Sequence, residues 1–82
     1  MTATFIYHRI DQLNSRLTAL APSVERAQQS VRRLEAEQVP AGATAQARAA
    51  RLAAARAMAA TLEERERQVR VAITALQAEL LD

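Results

Sequence analysis

The chain has 82 residues, 11 basic and 9 acidic side chains and a formal net charge of +2; every basic side chain is Arg. Half of the residues are apolar, but 20 of these are Ala, and Phe5 and Tyr7 are the only aromatic residues. This is at most one small domain with a thin core, and it lacks cysteine for disulfides or thiolate chemistry, an 18-residue apolar run for a membrane span and enough His or Cys for a transition-metal site.

The first segment, Phe5–Ile10, is interrupted by His8 and Arg9 and followed by Asp11, so a cleaved signal peptide is not expected and the chain reads as cytoplasmic. Disorder is disfavoured by the balanced charge and the periodic apolar residues. The Ala and Arg excess without Lys suggests a GC-rich, bacterial coding sequence.

The first arm is predicted over about 4–38, with Thr4 as its N-cap. Its apolar residues recur in alternating steps of four and three from Ile6 to Leu34. That spacing is a heptad seam, with Ile10, Leu17, Val24 and Val31 at a and Ile6, Leu13, Leu20, Ala27 and Leu34 at d. Pro22 interrupts the hydrogen-bond ladder, because it has no N–H and crowds the carbonyl of Thr18. The arm is therefore kinked or broken there. A break would make Ser23 the cap of a separate helix and give three helices in all. Continuous heptad phase across Pro22 favours the kink.

Pro40 and Gly42 mark a turn over 39–43, the residue before proline being kept out of helical geometry. The second arm follows over about 44–81 with Thr44 as its cap. Its a positions are Ala45, Leu52, Ala59, Glu66, Ile73 and Leu80, and its d positions are Arg48, Ala55, Leu62, Val69 and Leu76. Ala, Arg, Gln, Glu and Leu fill most of the remainder, and all favour helix.

Two arms of similar length joined by a short turn predict an all-α antiparallel helical hairpin of coiled-coil type. One hairpin buries only one seam, so assembly into a helical bundle is expected. Folding the chain about Ala43 pairs Ile6 with Leu80, Ile10 with Leu76, Leu13 with Ile73 and Leu17 with Val69. Further along it pairs Val24 with Leu62, Ala27 with Ala59, Val31 with Ala55 and Leu34 with Leu52. Two pairs break the apolar rule: Gln38 with Arg48 near the turn, and Leu20 with Glu66 at mid-rod. A single polar core residue sets register or assembly state at a cost in stability, and Glu66 is assigned that role, with Arg70 or Arg16 as its donor.

Few residues suggest chemistry. His8 sits off the seam with Asp11 three residues on, and reads as a solvated side chain. Glu63, Glu64 and Glu66, interleaved with Arg65, Arg67 and Arg70, read as a salt-bridged helix face. The half near the turn holds six arginines against three glutamates, a net +3, while the open half is −1. Arg32, Arg33, Arg48, Arg51 and Arg56 form the basic tip. A tip without aromatic residues or a recognition motif is a weak signal for nucleic acid, which is not the expected partner. The Ala-rich run at 49–60 offers a smooth face on which a helix can lie close. Phe5, Tyr7, Ala53, Ala57, Met58, Val71 and Leu81 lie off the seam and are the candidate partner-binding residues.

No nucleophile–base set, phosphate loop or metal-ligand spacing is present, so no enzyme, cofactor or small-molecule substrate is expected. The reading is a helical-hairpin adaptor or co-chaperone for a secretion, phage or division system. It would self-associate, as a homo-oligomer, or pack on a partner helix, with no membrane involved. In architecture, though in no motif, it is similar to the needle co-chaperones of type III secretion, which are also short helical hairpins. The alternative is a small regulator or inhibitor docking on a larger protein or nucleoprotein through its basic tip.

Overall fold

A computed structural model describes residues 2–38 and 42–81, the side chain of Ala43 excepted. Two helices, α1 (Ala3–Ala36) and α2 (Ala43–Leu81), account for all of these but four residues, and no strand occurs among them. The expected all-helical hairpin is present. Its α1 N-cap lies two residues earlier than expected: the Thr2 hydroxyl, and not that of Thr4, accepts from the Phe5 N–H at 3.3 Å. Either threonine suits the role chemically, and the helix takes the one that leaves Thr4 inside its first turn.

The arrival at α2 also differs. Gly42 has φ +65°, and its carbonyl accepts from the N–H groups of Ala45 and Gln46. The helix therefore starts at Ala43, and Thr44 lies within it rather than capping it. Only a residue without Cβ adopts that φ at little cost, so the glycine aims the chain back along α1. Of the expected turn, residues 39–41, with Pro40, lie outside the described residues.

α1 runs continuously through Pro22, so the three-helix arrangement does not form. Pro22 is exposed, on the side away from α2. Ser23 does not cap a new helix; its hydroxyl accepts from Arg26 Nη2 at 3.3 Å. The lost N–H removes one main-chain bond, but the apolar seam carries through on the opposite side, with Leu20 half-buried and Val24 buried.

The hairpin is a rod of 61 × 17 × 13 Å with a radius of gyration of 18.6 Å. A compact chain of this length would measure about 12 Å. Every described a and d residue of both arms is buried or half-buried, and nearly all other positions are exposed. Ile6, Ile10, Leu13, Val69 and Ile73 are buried together, with Leu17, Leu20, Leu76 and Leu80 against them. The four expected pairs nearest the open end thus meet in one cluster. Towards the turn only Val24 and Ala59 are buried. There α2 supplies alanine to the seam, which lets the helices approach but leaves Val31, Leu34 and Leu52 half-covered.

Candidate protein-interaction site

The residues that could meet a partner are those the hairpin leaves uncovered. Phe5, Tyr7, Met58, Val71 and Leu81 are large, apolar and more than half exposed, Leu81 to 88%. Ala53 and Ala57 are exposed as well. Ala53, Ala57, Val71 and Leu81 fall in heptad phase on one outer face of α2. Phe5 and Tyr7 lie in the first turns of α1, whereas the others are spread along α2. Helix geometry explains the split, because all of them occupy non-seam heptad positions and so face away from the opposite arm.

Three of the five arginines of the basic tip have partners within the molecule. Arg48 reaches from α2 to the end of α1, where its Nη2 donates to the carbonyl oxygens of Leu34, Glu35 (3.4 Å) and Glu37 (3.3 Å). The sequence register sets Arg48 opposite Gln38 and gives no hint of these carbonyl partners. A lone arginine at a d position next to the turn was the available signal. Arg56 pairs with Glu35 at 3.3 Å and Arg51 with Glu37 at 3.9 Å, both across the two helices. Arg32 and Arg33 have no acidic partner among the described residues, and Arg33 lies in the last turn of α1, where a cation suits the helix dipole.

Glu66 lies in the seam as its a position requires, with its side chain 25% exposed. Of the two donors considered, Arg70 is the one in place, 3.7 Å away one turn on, itself largely exposed. Glu64 pairs with Arg67 on the outer surface, and Glu63 Oε1 accepts from Gln28 Nε2 at 2.8 Å, tying the arms together at mid-rod. The three glutamates therefore point to three different neighbours and do not converge on a common point. His8 is exposed, and its Nε2 lies 3.4 Å from the Gln12 amide nitrogen, not against Asp11. Among the described residues no group of acidic or His side chains is placed to hold a metal, and no helix is long and apolar enough to cross a membrane.

Compared with known proteins, the chain matches no family model, no curated protein and no solved structure.

Proposed function

We propose that this chain is a small non-enzymatic protein–protein interaction module, a helical-hairpin adaptor or co-chaperone that lays an uncovered helix face on another helix and assembles into a helical bundle. The observation that carries the reading is surface. The rod exposes 5970 Å², whereas a compact protein of 9.0 kDa would expose about 4,900 Å². The excess of about 1,100 Å² exceeds the ~800 Å² that each partner contributes to a standard interface.

The Arg-tip alternative draws less support, because Arg48, Arg51 and Arg56 are already engaged with the end of α1. Salt separates the two. Isolation of the tagged chain from its native cell should retain a protein partner at about 1 M salt if apolar helix faces bind it, since screening at that strength reaches ~3 Å. A partner or nucleic acid retained only at low salt would assign the tip instead, and recovery of no partner would sink the adaptor reading.

A further inference from the structure

α2 carries a second face with unbroken heptad spacing, opposite the seam it shares with α1. It begins with Ala50, Ala53, Ala57 and Ala60, passes through Glu64 and Arg67, and ends with Val71, Thr74, Ala78 and Leu81, all exposed. The steps alternate between three and four residues throughout, the spacing by which one helix meets another. Only two of its side chains are charged, and they pair with each other. Most of the equivalent positions of α1 carry polar side chains, His8, Asp11, Glu25, Gln29 and Arg32 among them. Water is therefore a suitable neighbour for the outer side of α1 and a poor one for that of α2. Near the end of the face, Val71, Thr74, Ala75 and Ala78 line a shallow groove together with Arg67 and Arg70.

We infer that this face binds the same face of a second copy of the chain, antiparallel, about a two-fold axis passing between Glu64 and Arg67. The inference rests on the interaction reading above and names the partner. Charge fixes the direction. In the antiparallel pair each Glu64 lies opposite the partner's Arg67, whereas a parallel pair would set Glu64 on Glu64 and Arg67 on Arg67 at the middle of the contact.

Size fixes the register. Moving outward from the axis, Ala60 faces the partner's Val71 and Ala57 the partner's Thr74. Beyond these, Ala53 faces the partner's Ala78 and Ala50 the partner's Leu81. Each large side chain of the C-terminal half thus meets an alanine of the N-terminal half, so the face is complementary to itself. The contact would run for about 45 Å along each helix, long enough to cover much of the excess surface.

Sedimentation of the full chain across about 1–100 µM tests the proposal. The wild type should be a dimer. Ala57→Glu should weaken it about a hundredfold or more, because it places an unpaired carboxylate in the contact. Circular dichroism should not change, since Ala57 is exposed in the single hairpin. Glu64→Arg alone should dissociate the dimer, and Glu64→Arg with Arg67→Glu should restore it. For register, oxidised Ala60→Cys/Val71→Cys should give a covalent dimer. The two thiols of one chain lie about 16 Å apart along a single helix and cannot join each other. A wild type that stays monomeric to 100 µM would overturn the proposal. So would a dimer indifferent to Ala57→Glu, which would move self-association to another face and leave the adaptor reading standing. Loss of the adaptor reading shows separately, as absence of a foreign partner in the native cell while the dimer persists.

Discussion

The guanidinium of Arg48, near the start of α2, donates to the main-chain carbonyl of Leu34 in the last turn of α1, 14 residues earlier. The last four carbonyls of a helix have no partner within it, and most helices satisfy them with water or a glycine cap. Here α1 ends in extended geometry at Glu37, and a cation from the opposite arm takes the place of the cap. The contact joins the arms where their apolar seam is thinnest. It is not free of cost, since Arg48 Nε is buried without a partner.

Arg48→Met should lower stability by about 1–2 kcal/mol, through the loss of charge-assisted bonds to main-chain carbonyls, of which the one to Leu34 is partly buried. Methionine keeps the aliphatic stem, so packing changes little. Thermal melts of the two proteins measure the difference. A melting temperature unchanged by the substitution would show that water replaces the guanidinium without penalty.

Gly42→Ala should cost about 1 kcal/mol, because φ +65° is strained for a residue with Cβ. No neighbouring atom lies within 4 Å of where that Cβ would sit, so the cost is one of backbone conformation alone. Gly42→Asn, which tolerates this conformation better, should lose less. Urea unfolding of the three proteins should rank them Gly, Asn, Ala.

Glu66→Leu should raise stability by roughly 1 kcal/mol, because an apolar residue in the seam replaces a half-buried ion whose partner Arg70 is largely exposed. It should also broaden the range of assemblies, since nothing polar would then oppose shifted registers. Melts and sedimentation together check this. A gain in stability with a single assembly state retained would show that Glu66 has no part in register.

The seam was legible in the residue spacing of both arms, down to the half-buried place of Glu66 in it, because heptad phase follows from helix geometry alone. The caps were not. Thr2 and Thr4 are equivalent in type, and only the hydrogen bond to Phe5 separates them. Thr44 is a good cap by composition, but the positive φ of Gly42 brings the helix on earlier. The role of Arg48 was not legible for a different reason. Its partners are main-chain carbonyls, which look the same at every position of a sequence, and only the folded turn selects those of Leu34, Glu35 and Glu37.

Ile10→Ala should cost about 2–4 kcal/mol and Leu34→Ala only about 1 kcal/mol. Ile10 is buried in the cluster at the open end, while Leu34 is half-covered and lies in the thin, alanine-bearing half. Equilibrium unfolding in urea measures both, and equal losses would mean that the seam is uniformly packed.

That uneven packing dictates how the hairpin assembles in time. Pairing can begin beside the turn, where the loop to be closed is shortest, but the first pairs to meet there contain mainly alanine or half-covered side chains. The gain comes late, when residues from the two ends of the chain come together around Leu13 and Ile73. The rate-limiting barrier then lies after the turn half has formed and before the terminal cluster has closed. Truncations near Leu34 and Leu52 would slow folding, while those at Ile6 or Ile73 would chiefly hasten unfolding. The contacts that stabilise the rod most are thus the last ones it makes and the first it loses.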